Sequence, residues 1–219
     1  MASASFSDFT IYSRVERLAD GVVHIVGVVA SLVAISVLIV LSAQWRDPAT
    51  ITSVSVYGAG TLAVFCISAA YHLTPPTRAK AILRRFDHAA IFLKIAGTYT
   101  PFAVISIGGG VGWSLLAVVW SIAAIGIALK LAGWRGGEKL SVALYLAQGW
   151  LIVLAIGPMR AALETSELVL CMLGGGLYTL GCTFYLAKRM PFSNAIWHVF
   201  VLTASACFYA AILKAVVLR

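Results

Sequence analysis

The chain has 219 residues, of which 61% are hydrophobic and 11% charged, and its net charge is +8. A soluble domain carries about 25% charged residues, so a single water-facing fold of this length cannot hide so much apolar surface. The basic residues sit in short segments between apolar runs, which excludes a nucleic-acid platform and reads as topology determination against anionic lipid head groups.

In chain order, the segment from Met1 to Asp20 is polar, with neither an apolar core nor a small-residue cleavage site. The expectation is that no signal peptide is removed and that the first span itself directs insertion. A bilayer core of about 30 Å needs roughly 20 apolar residues in a helix. Runs of that kind predict spans at about Gly21–Ala43, Ile51–Tyr71, Ala89–Ile107, Val111–Ala132, Leu140–Ile156, Leu168–Leu186 and Ala195–Leu213. The connections are short, and Gly108–Gly110 makes the tightest of them. The expected fold is therefore all-α, one up-down bundle of seven transmembrane helices over residues 1–219, with a short polar segment at 1–20.

Lys and Arg counts set the expected orientation. With the N-terminus inside, the inner segments hold Arg14, Arg17, Arg78, Lys80, Arg84, Arg85, Lys130, Arg135, Lys139, Lys188 and Arg189. The outer ones hold Arg46, Arg160, Lys214 and Arg219, a bias of 11 to 4 that places the N-terminus in the cytoplasm and the C-terminus outside. Cys66, Cys171, Cys182 and Cys207 each fall within an apolar run and read as packing residues.

Ionisable groups inside a membrane are costly, so their positions are informative. His24 opens the first span, His72 closes the second, His88 opens the third beside Asp87, and His198 lies a turn into the seventh. Glu16 and Asp20 precede the first span. The predicted topology brings all of these to one membrane depth. Ser68 and His72, and again Asn194 and His198, are four residues apart and share a helix face. Facing helices of a bundle can build a metal site from such residues, and neutral imidazole is a common zinc ligand. The plainer alternative is that these are hydrogen-bonded helix-end residues, with Asp87 an N-cap. Lys94 lies two turns beyond Asp87 and is expected to snorkel, to pair with Asp87 or to serve as a functional amine. Lys214 sits near the outer end of the last span, in an orientation opposite to that of retinal proteins, so no retinal is expected.

These residues also carry a resemblance. Glu16-Arg-Leu-Ala-Asp20-Gly-Val-Val-His24, Ser68-Ala-Ala-Tyr71-His72, Phe86-Asp87-His88, Ala96-Gly97-Thr98-Tyr99-Thr100-Pro101-Phe102 and Ala195-Ile196-Trp197-His198 stand in the order seen in the hemolysin III family. That family is similar to the progestin and adipoQ receptors and, more distantly, to alkaline ceramidases. The resemblance covers nearly the whole chain, from about Glu16 to Leu213. It implies seven helices and a zinc site at the cytoplasmic side. By that likeness Ser68 and His72 match the motif closing the second helix, Asp87 matches the acid that holds a zinc-bound water, and His198 matches one histidine of the last helix. The partner of that last histidine falls on Asn194, and amide oxygen is a poor zinc ligand beside imidazole. Three arrangements stay open: His72 and His198 with Asp87 ligating directly, substitution by His24 or His88, or a metal-free polar remnant.

The function expected from this is a zinc-dependent hydrolase of a lipid amide or ester, in the bacterial inner membrane, with Asp87 and Ser68 catalytic. Alternatives are a non-enzymatic lipid sensor, a pore-forming cytolysin and a transporter. A transporter calls for matching broken helices in two halves, and Pro101 has no counterpart. Membrane lipids are the expected partners, and the oligomeric state is left open.

Overall fold

The computed structural model describes residues 13–134 and 136–218. Of the expected polar N-terminal segment, residues 1–12 lie outside the described residues, as do Arg135 and Arg219 of the charge count. Among the described residues there are seven helices long and apolar enough to cross a membrane: Arg14–Trp45, Pro48–Leu73, Arg78–Ile107, Gly109–Leu131, Glu138–Ala162, Thr165–Leu186 and Ser193–Val217. No strand occurs among them.

Surface and interior are exchanged relative to a water-soluble bundle. Val33, Ile125 and Leu154 are exposed, whereas Thr50, Ser53 and Gln148 are buried. An apolar exterior is favourable only where lipid is the solvent, and polar groups must then find partners inside. Gln148 does so in part, its Nε2 donating to Val119 O at 3.2 Å between the third, fourth and fifth spans.

Several helices run past the apolar windows that define them in sequence. The first span starts at Arg14, because Ser13 and Glu16 form a reciprocal capping box. Glu16 and Asp20 therefore lie within the helix rather than before it. The third span starts at Arg78 under a Thr77 cap, so Asp87 and His88 sit more than two turns inside and Asp87 is not its N-cap. An aqueous first stretch of that helix tolerates its basic side chains, which a hydropathy window penalises.

Three spans carry irregular stretches, the seventh ending in a π-helical one at Leu213–Val217. After Pro101 the third span relaxes into a π-helical stretch at Phe102–Ile107. Proline removes a backbone donor and crowds the preceding turn, so widening of the helix there has a local cause. The fifth span tightens to a 3-10 stretch at Trp150–Ala155. Tyr99 bridges this break: its hydroxyl donates to Gly149 O at 2.7 Å and accepts from the Ile152 N–H at 2.9 Å. The link from third to fourth span turns through Gly108 and Gly109, with φ of +61° and +54°, which glycine adopts without penalty.

Spans two and three make backbone contact. A Cβ on Gly60 would stand 3.2 Å from Leu93 O, and one on Gly97 would stand 3.2 Å from Val56 O. Small residues permit such approach where lipid supplies no hydrophobic drive between helices. This crossing carries Ser68 and His72 toward Asp87 on the neighbouring helix.

Candidate metal centre

The candidate site forms where the first, second and seventh spans meet. His24, His72 and His198 each offer a ligating nitrogen, and these atoms all lie within 4.8 Å of one another. The ring centroids of His24 and His198 are 4.2 Å apart, and those of His72 and His198 are 4.6 Å apart. His24 and His198 are buried, and His72 is half-buried.

The Asp20 carboxylate stands among them. His198 Nδ1 lies 2.6 Å from Asp20 Oδ1. His72 Nδ1 lies 3.3 Å from Asp20 Oδ2, and His24 Nε2 is 3.6 Å from the same oxygen. Asp20 and His24 are one turn apart on the first span, which sets their shared face. A carboxylate accepts only, so the short contact makes His198 Nδ1 the donor and leaves Nε2 with its lone pair. The Asn194 amide donates to Asp20 Oδ2 at 3.0 Å and meets His72 Nδ1 at 3.0 Å. The polar side chain that stands at Asn194 thus braces the ring of His72 and the carboxylate of Asp20.

The donor set fits a zinc-sized ion. His24 Nε2 is buried and has no hydrogen-bond partner, a costly state for a ring nitrogen unless something else meets it. Tetrahedral zinc at about 2.0–2.1 Å from each nitrogen draws its donors to roughly 3.4 Å of one another, so nitrogens up to 4.8 Å apart would close by up to about 1.4 Å. Neutral imidazole is the ligand type suited to such an ion.

The other residues singled out by sequence fall at different distances from this centre. Asp87 is buried, with Ser68, His24 and Asp20 nearby. His88 lines the same cavity but turns to the other side, where its carbonyl accepts from Tyr145 Oη at 3.0 Å and its Nε2 meets Tyr185 Oη at 3.5 Å. Of the two substitutes for a missing imidazole, the structure therefore brings in His24. Glu16 caps the seventh span from outside the cluster, accepting from the Phe192 N–H at 2.9 Å. Lys94 neither snorkels nor pairs with Asp87; its Nζ ends 3.5 Å from Thr61 Oγ1.

The cluster opens into a cavity of about 980 Å³. Its walls run from Lys80 and Arg84 at the histidine end, past Ile91, Tyr99, Phe102 and Trp150, to Met159 and Leu168 at the opposite end. This volume lies at the upper end of the range for ligand sites, and its walls are mostly apolar. At the rim Glu138 pairs with Arg84 at 3.2 Å and with Lys188, joining the third and fifth spans to the loop after the sixth.

Residues 12–209 match the family described as haemolysin-III related. The chain is 38% identical to the "Hemolysin-3 homolog" of Bacillus subtilis over 90% of its own length and 93% of that protein. It is 35% identical to "Hemolysin-3" of Bacillus cereus, covering 90% of each. The human "Monocyte to macrophage differentiation factor" is 30% identical over 73% of this chain and 68% of the human one. No solved structure is significantly similar.

Proposed function

We propose that this chain, which belongs to the haemolysin-III related family, is a zinc-dependent hydrolase of a lipid amide or ester in a bacterial cytoplasmic membrane. The observation that carries this reading is the junction of three imidazoles and two buried carboxylates with a lipid-sized apolar cavity. His24, His72 and His198 would hold the ion. Zinc in such a site supplies Lewis acidity.

The chain's own groups provide the rest. Asp20 accepts the His198 Nδ1–H and fixes that ring with Nε2 turned to the centre. Asn194 keeps the Asp20 carboxylate and the His72 ring in register. Asp87 takes the proton of the attacking water and delivers it to the departing amine nitrogen or alkoxide oxygen as the C–N or C–O bond breaks. Ser68, beside Asp87, would donate its hydroxyl to the carbonyl oxygen as charge develops there. The apolar wall excludes bulk water and seats the acyl chain. With the Lys and Arg bias as guide, the histidine end faces the cytoplasm.

One observation favours a second reading, a metal-free lipid sensor. The carboxylate of Asp20 already accepts hydrogen bonds from His198 and Asn194 and Asn194 also meets His72 Nδ1, so the cluster can hold together as a polar lock between spans. Elemental mass spectrometry separates the two. Protein purified without a metal-binding tag should carry near-stoichiometric zinc, lost in His72→Ala and His198→Ala, and should cleave lipid amides or esters in a product screen. No metal after zinc loading would overturn the hydrolase and leave the sensor.

A further inference from the structure

Lys94 stands apart from the histidine cluster. It lies in the third span seven residues beyond Asp87, about 10 Å further along the axis at 1.5 Å per residue. Its backbone cannot withdraw, since a Cβ on Gly60 of the second span would lie only 3.4 Å from Lys94 Cα. The residue is 6% exposed and lines the cavity. Thr61 Oγ1 at 3.5 Å is at the limit of hydrogen bonding. The Tyr57 ring centroid lies 5.8 Å from Nζ. Among the described residues no carboxylate forms an ion pair with this amine.

An ammonium group at this depth without a counter-ion is costly, and such residues mark ligand pathways. The protein leaves the counter-charge out of a buried cationic side chain that forms part of a cavity wall. We propose that Lys94 is the head-group site for a single-chain amphiphile bearing one carboxylate. The ligand's acid completes the ion pair from the cavity side, while Thr61 and the face of Tyr57 back the amine from the second span. Its chain lies along Ile95, Tyr99, Phe102 and Ile152, toward Met159 and Leu168.

Charge matching selects the class. A single ammonium suits a monoanion, whereas a phosphate group calls for a denser array of cationic and N–H donors. The cavity's other Lys and Arg side chains stand at its ends, with Arg14, Arg17, Lys80, Arg84 and Lys188 on the histidine side and Arg160 opposite. A neutral alcohol of equal chain length would fill the same walls and leave the amine unpaired.

The test is binding of radiolabelled dodecanoate and of dodecanol to the full chain in phosphatidylcholine nanodiscs. Wild type, Lys94→Met, Lys94→Arg and His72→Ala would be compared. Lys94→Met should bind dodecanoate more weakly by roughly tenfold or more, and Lys94→Arg should retain it. Dodecanol should bind wild type and Lys94→Met alike, which also reports that the variant is folded. His72→Ala should keep dodecanoate binding, so this site stands or falls apart from the metal centre. Equal dodecanoate affinity in wild type and Lys94→Met would overturn the proposal. Loss in His72→Ala with none in Lys94→Met would likewise overturn it, by placing the acid at the histidines.

Discussion

Asp20 Oδ1 and His198 Nδ1 approach to 2.6 Å although 178 residues separate them in the chain. A charge-assisted bond this short fixes the imidazole in one tautomer and one orientation. Asp20→Asn preserves shape and removes the charge. Metal affinity, measured by competition with a chromogenic chelator, should fall by about 10–100-fold. An unchanged affinity would mean that His198 is oriented by packing alone.

His24 and His88 give the sharpest contrast. Both are imidazoles at the same end of the bundle, but only His24 lies with His72 and His198. His24→Ala should abolish stoichiometric zinc, as His72→Ala should, while His88→Ala should leave it intact. Cobalt-substituted protein offers a second readout, since its visible spectrum should change only in the first variant. Equal metal loss in both would remove His24 from its place as third ligand.

The backbone contact between spans two and three predicts a steric effect. Gly97→Val places a branched side chain against Val56 O and Tyr57 Cα, where even a Cβ stands at 3.2 and 3.6 Å. Overpacking of this kind costs about 1–3 kcal/mol. Thermal unfolding in detergent should show a clear fall in Tm. Gly110→Val is the control, because nothing lies within 4 Å of its Cβ position.

Asp47, between the first two spans, caps the second. Its carboxylate accepts from Thr50 Oγ1 at 2.9 Å and from the Ala49 and Thr50 N–H groups at 2.8 and 3.1 Å. These bonds, the Thr50 hydroxyl foremost, hold its pKa below the ordinary carboxylate value. A group lowered in the folded state adds stability above its unfolded pKa and loses it as pH falls through the folded one. Asp47→Ala should therefore lower Tm at neutral pH, and the deficit should shrink on acidification. A deficit that grows toward acid would contradict the cap.

Hydropathy made the seven spans legible, because each must be long and apolar to cross a bilayer. The membrane depth of His24, His72, His88 and His198 followed from the same pattern. Rotation about each helix axis did not. In a soluble amphipathic helix the apolar stripe reports the inward face; here lipid and core both accept Val, Ile and Leu. Nothing in the spacing of His24 and His88 told which one turns toward His72. Asp20 was visible as an acid near a helix start, but its central place depends on the seventh span, far away in sequence. The early start of the third span was hidden because Arg78, Lys80, Arg84 and Arg85 depress hydropathy over a stretch that is nonetheless helical.

The contact between first and last spans also bears on how the protein is made. A ribosome delivers the spans in order, so Asp20 and His24 enter the membrane early and wait for His198 until nearly the whole chain has been synthesised. Until then a carboxylate faces hydrocarbon or lipid head groups without its strongest partner, at a cost that favours holding the first span in a polar, chaperoned setting. Chains that stop after the sixth span would keep that exposed acid permanently. The pair that orders the centre in the finished protein is thus among the last of its contacts that synthesis makes possible.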